Sequence, residues 1–174
     1  MGKRHSWPQA LNGLYMQILG IDYGRARIGL GIANSESGLA HPLDTLERIN
    51  RNEDMRRLRE IVRANSVKLL VVGLPLRLDG TQGEMAAEAA RFARRLRKQL
   101  GLPVETVDER LTSWEAERLL EERTGRITRK ATYRAGKKKA NAEGKNTVDA
   151  VAAAVILKEY LEQKHAAKHL NLMK

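Results

Sequence analysis

Gln17-Ile18-Leu19-Gly20-Ile21-Asp22-Tyr23-Gly24 runs straight into Arg25-Ala26-Arg27-Ile28-Gly29-Leu30-Gly31-Ile32-Ala33, and the reading of these residues decides the fold. Two apolar runs of strand length flank a short segment with a glycine, which reads as strand, tight turn, strand: an antiparallel hairpin. Gly24 permits positive φ and lets other groups approach the backbone. The first run ends on a carboxylate, Asp22. An acid in such a place is costly unless it is hydrogen-bonded, paired or bound to a cation.

Outward from the hairpin, Gly38 to Leu46 supplies a third strand, with Pro42 favouring an edge or a strand start. Met55, Leu58, Ile61 and Val62 recur at helical spacing, which predicts an amphipathic helix over 53–64. Val67 to Val72 is a continuous apolar run, suited to an interior strand covered on both faces. Thr81 and Glu84 have the spacing of a capping box, so the next helix is expected to open there, carry Met85, Ala89, Phe92, Leu96 and Leu100 as its stripe, and stop before Gly101 and Pro103. Val104 to Val107 is the last strand. A second capping box, Thr112 with Glu115, predicts a helix to about Arg123, and Thr147 to Leu161 forms a closing helix, apolar nearly all round and so expected to be packed between elements. The fold class is α/β: a five-stranded mixed sheet, three antiparallel strands followed by parallel ones, with helices on both faces. Residues 1–16 read as a flexible extension, 17–162 as the domain, 124–146 as a mobile basic loop within it, and 163–174 as a tail.

The chain has 174 residues, enough for one domain with a self-sufficient core. It has no cysteine, which excludes disulfides, thiolate metal sites and a thiol nucleophile, and suits a reducing compartment. No apolar run is long enough to span a membrane, and no long apolar segment follows the basic Met1 to Ser6, which argues against a secretory signal. Formal net charge is +11, and between Arg123 and Lys145 nine basic residues face only Glu143. Arg129, Lys130, Arg134, Lys137, Lys138, Lys139 and Lys145 therefore read as an electrostatic arm for a phosphate backbone, against the plainer reading of a solubilising loop. A second cluster, Arg91 to Lys98, reads as the wet face of a helix. Charge alone does not separate DNA from RNA.

Three acidic places stand where apolar runs end or begin: Asp22, the pair Asp108-Glu109, and Asp149 in the first turn of the closing helix. Singly, each has an ordinary reading: an Asx turn before Gly24, an ion pair with Arg110, and a complement to the helix dipole. Drawn together they would repel one another, and a hard divalent cation such as Mg²⁺ or Mn²⁺ relieves that repulsion. Paired ions of this kind support phosphodiester cleavage. Arg27, at the start of the second strand, or Arg110, next to Glu109, is suited to steadying phosphate charge. An Asp-x-Gly hairpin is also used by phosphate-binding ATPases, and the Thr81 to Glu84 helix start offers a phosphate seat, with ordinary capping as its simpler reading.

Gly20 to Gly24 with Arg27-Ile28-Gly29, Val72-Gly73-Leu74-Pro75 with Asp79-Gly80-Thr81, Asp108-Glu109-Arg110-Leu111-Thr112-Ser113 and the Asp149-Ala150 helix follow one another in this order. In combination they resemble the YqgF family, also called RuvX, the Holliday junction resolvase family, over about residues 17 to 162. The resemblance implies an RNase H-like fold, a bacterial cytoplasmic protein and a metal-dependent nuclease site. It implies a nucleic-acid substrate, the 5′ end of precursor 16S rRNA, with branched DNA as the alternative. Junction resolution would need a symmetric homodimer. Carried over by position, Asp22 matches the first-strand acid and Asp149 the final-helix acid. The Asp-Glu-Arg motif supplies the third, with the longer arm of Glu109 preferred to Asp108. Gly73-Leu74-Pro75 stands where other RNase H-like nucleases often carry a glutamate, which leaves one metal or two open. A non-catalytic RNA-binding or transcription-associated factor on the same fold is the reading from another class.

Overall fold

The computed structural model describes residues 16–77, 79–109 and 148–172, with side chains through 167. The elements are β1 (Gln17–Tyr23), β2 (Arg27–Asn34), β3 (Ala40–Glu47), α1 (Arg51–Ala64), β4 (Val67–Leu74), α2 (Glu84–Leu100), β5 (Val104–Asp108) and α3 (Val148–Leu172). They form one five-stranded sheet in the order β3-β2-β1-β4-β5. β1 pairs antiparallel with β2, and β2 with β3. β4 pairs parallel with β1 and with β5. Pro42 lies on the edge strand, beside a register shift in the β2–β3 ladder, where its missing donor costs least.

The unbroken apolar run of β4 is explained by its two neighbours. Leu70 and Val72 pack with Leu19, Ile21, Met55, Leu58, Phe92 and Leu96 on the face covered by α1 and α2. Leu69 and Val71 pack with Ile18, Ile156, Leu157, Tyr160 and Leu161 on the face covered by α3. Helices therefore cover both faces. Strand glycines let α3 lie close. A Cβ on Gly20 would stand 2.8 Å from the Ala153 carbonyl oxygen, and one on Gly31 2.7 Å from the Ala154 nitrogen.

Several expectations need correction. Met16 belongs to the domain rather than to the N-terminal extension: it is 3% exposed, its N–H donates to Ser35 Oγ, and its carbonyl accepts from the Ser35 N–H. Thr81 does not cap α2. Its N–H and hydroxyl both donate to Asp79 Oδ1, at 2.9 and 2.7 Å, so a local Asx turn captures it first. The helix begins at Glu84 behind Gly83, without a side-chain cap. Its buried stripe is Ala86, Ala89, Phe92, Ala93 and Leu96, and Met85 is only half-buried. α1 starts earlier than expected because Asn50 accepts from the N–H groups of Asn52 and Glu53.

Residues 163–172, expected as part of a tail, are helical, because α3 continues to Leu172. Lys164 holds it down: its side chain is 3% exposed and its Nζ lies 2.8 Å from Glu105 Oε2 on β5. Nor is α3 enclosed on every side among the described residues, since Val151 and Val155 are exposed. The predicted 112–123 helix, the 124–146 loop and residues 1–15 lie outside the described residues.

Candidate active site

The parallel strands β1, β4 and β5 all end at the same edge of the sheet, which is where their last residues meet. Ile18 and Gly20 contact α3, so the alternation of β1 turns Asp22 to the same face. Asp22 is paired across the hairpin with Gly29. A Cβ on Gly29 would overlap the Asp149 carbonyl, so this glycine seats the first turn of α3 against the hairpin. Two strands away, a Cβ on Gly73 would overlap Glu109 Oε1 and come within 2.6 Å of Ile156 Cδ1. Glu109 thus folds back over β4, and its N–H donates to the Leu74 carbonyl at 3.1 Å. In this chain the end of β4 provides room for a glutamate from the next strand.

The acids feel one another. Burial, and after it the charge of Asp149, raises Asp22 to about 6. Burial, then the charges of Asp22 and Asp108, raises Glu109 to about 7. Asp149 has Arg27 Nε 2.8 Å from its Oδ2. The contact is off the hydrogen-bonding axis, and Oδ2 is a buried oxygen without an aligned donor among the described residues. Asp108 lines a cavity of about 230 Å³ with Glu105, Tyr160, Gln163 and Lys164. Asp22, Glu109 and Asp149 are therefore brought to one place. As their side chains stand, no three acidic or histidine groups among the described residues are arranged to hold an ion. The fit to a hard cation rests on the donors: carboxylate oxygens, two of them destabilised by burial and by neighbouring negative charge, and the buried Asp149 oxygen beside a guanidinium.

The turn after Asp22 is gripped by residues that the sequence did not single out. Arg48 Nη1 donates to Tyr23 Oη at 2.9 Å and to the Gly24 carbonyl at 3.2 Å. Its Nε donates to Asp54 Oδ2 at 3.0 Å, and Asp54 is 3% exposed. The guanidinium also stands over the Tyr23 ring, which leans on Phe92. Arg25 ties the turn to α2 through Glu84 and Glu88. The available signal was Asp54 itself, an acid four residues before the core residue Leu58. Of the nucleic-acid residues expected from sequence, Arg27 is at the site; Arg110, Arg129, Lys130, Arg134, Lys137, Lys138, Lys139 and Lys145 lie outside the described residues.

A mixed sheet in this order, with acids at the ends of its first and last strands and at the start of the closing helix, defines the RNase H-like class. RuvC of T. thermophilus, solved in complex with Holliday junction substrate, superimposes with a TM-score of 0.52 at 16% identity, covering 87% of this chain and 97% of that one, and shares the fold. The profile of RuvX, described as Holliday junction resolvase, matches residues 16–163, and the chain belongs to this family. It is 38% identical to a Crocosphaera subtropica protein named "Putative pre-16S rRNA nuclease", over 87% of this chain and 96% of that one. It is 42% identical to an Anaeromyxobacter protein of the same name, over 86% of this chain and 98% of the relative.

Proposed function

We propose that this protein is a divalent-cation-dependent nuclease that processes the 5′ end of precursor 16S rRNA. The observation that carries the reading is the convergence of Asp22, Glu109 and Asp149, which lie far apart in sequence, on one edge and one face of the sheet. The names of the relatives and the family support the substrate class. In this reading Asp22, Glu109 and Asp149 hold Mg²⁺ or Mn²⁺, with Asp108 beside them. The bound cation supplies charge neutralisation at the scissile phosphate.

The chain's own groups do the rest. Gly29 and Gly73 set the positions of Asp149 and Glu109. Arg48 fixes the Asp22 turn. Arg27, more than half exposed, holds Asp149 and would meet a phosphate oxygen brought to this edge of the sheet. The test is incubation of the pure protein with precursor 16S rRNA in Mg²⁺, Mn²⁺ or EDTA, beside Asp22→Asn. Cleavage that needs the cation and Asp22 is expected. Salt-sensitive binding without hydrolysis in any metal would refute the nuclease and leave an RNA-binding factor.

A second reading, Holliday junction resolution, is favoured by the description of the matching family. It requires two copies acting on a two-fold junction. Symmetric cleavage of a four-way DNA junction by a dimer would select it, and a strictly monomeric protein in solution would exclude it.

A further inference from the structure

Between residues 17 and 109 the charges nearly balance, fifteen basic against thirteen acidic, yet they are segregated. α1 ends just before β4 begins, and α2 ends just before β5 begins, so the last turns of both helices lie at the edge of the sheet opposite the acids. Both helices cover the face away from α3. Arg59 and Arg63 belong to the end of α1; Arg94, Arg95 and Lys98 belong to the end of α2. The two ends adjoin, since Arg59 Nη2 donates to the Gln99 carbonyl. Arg63, Arg94 and Lys98 are exposed, and Arg59 and Arg95 are half-exposed.

The acids of these helices are occupied elsewhere. Glu53 and Glu60 pair with Arg56, Asp54 with Arg48, and Glu84 and Glu88 with Arg25. Among the described residues no carboxylate pairs with Arg63, Arg94, Arg95 or Lys98. Helix-dipole complementation accounts for cations in a last turn only, and its influence does not reach back to Arg94. Arg91, Arg94, Arg95 and Lys98 stand at i, i+3, i+4 and i+7, where like charges destabilise a helix. Glu88 offsets Arg91 from one turn before it, but no acid follows on this face; a solvated face relieves such repulsion by alternating signs, and beyond Arg91 this one does not, so a polyanion would relieve it.

We propose that Arg59, Arg63, Arg94, Arg95 and Lys98 form a second phosphate-backbone contact for structured RNA, remote from the acids. The proposal rests on nucleic acid being the ligand, as in the proposed function, and not on cleavage. The eight residues of β4 separate the two regions by about 25 Å, so one RNA reaches both only if it is folded or long enough to pass around the sheet.

The experiment is equilibrium binding of a fluorescent precursor 16S rRNA 5′ transcript in EDTA across a salt series. It compares the wild type with an Arg94→Gln, Arg95→Gln, Lys98→Gln variant. Glutamine matches arginine and lysine as a helix former, so the fold is kept, and a circular dichroism melt checks it. The expected result is a loss of about tenfold or more in affinity near 0.1 M salt, with the slope of log K against log salt shallower by about two. Arg94→Lys with Arg95→Lys retains the wild-type slope. Unchanged affinity and slope in the glutamine variant, or an equal loss in the lysine variant, overturns the proposal. No turnover occurs in EDTA, so a protein that binds in this way yet cleaves nothing would remove the nuclease reading alone.

Discussion

Asp22 and Glu109 are carboxylates that the native state holds partly protonated near neutral pH. Each is charged more easily in the unfolded chain than in the fold, at a cost to stability of about 1–3 kcal/mol once ionised. Asp22→Asn removes one such charge and keeps the shape. We expect it to abolish cation-dependent cleavage while raising Tm at neutral pH by roughly 3–8 °C. A variant that melts at or below the wild-type temperature would contradict the electrostatic account, whatever its activity. Gly73→Ala tests the other acid. The new methyl would occupy the place of Glu109 Oε1 and press on Ile156 Cδ1, both ends of flexible side chains. Cleavage should therefore fall by more than tenfold for a stability loss of about 1–3 kcal/mol. Equal activity with a displaced melting curve would mean that Glu109 is not the third acid.

Among the elements, the strands were the most legible. The apolar runs of β1 and β4 are long, rich in branched residues and bounded by glycine or proline, so strand type and order followed from them. The site was legible to the extent that its acids stand at strand ends and a helix start. What was not legible depends on competition or on tertiary contact. Thr81 has the right spacing for a cap, but Asp79 is nearer. Lys164 looks like a tail residue until Glu105 is seen opposite it. Arg48 and Asp54 lie six residues apart and meet only because α1 folds back on β3. The last two of these cases each give a test. Ending the chain after Glu162 should cost about 2–4 kcal/mol in chemical denaturation, because it strips the partner from Glu105 and uncovers Tyr160. Arg48→Ala should cost about 3–5 kcal/mol, since Asp54 is left buried and unpaired. The double variant Arg48→Met, Asp54→Leu should recover most of that stability but not cleavage, because nothing then holds the Gly24 carbonyl. Recovered cleavage in the double variant would show that Arg48 serves the fold alone.

For the whole molecule, the acid cluster makes stability a function of pH and of cations together. Between about pH 4 and 7 the folded protein holds protons on Asp22 and Glu109 that the unfolded chain has lost. Stability contributed by these two groups therefore falls as pH rises through that window and is fully lost above it. A cation that binds only the folded, deprotonated site acts in the opposite direction, stabilising by RT ln(1 + [L]/Kd), and its effect grows as the protons leave. In EDTA, Tm of the wild type should drop between pH 5 and 7.5 relative to an Asp22→Asn, Glu109→Gln variant measured in parallel, which cancels the contribution of every other titrating group. Millimolar Mn²⁺ should close most of that gap at pH 7.5, very little of it at pH 5, and leave the double variant unmoved. If the two proteins melt in parallel across the range, the acids are not coupled as the fold places them. If Mn²⁺ stabilises both alike, the cation binds elsewhere, and the hydrolytic reading of this edge of the sheet fails with it.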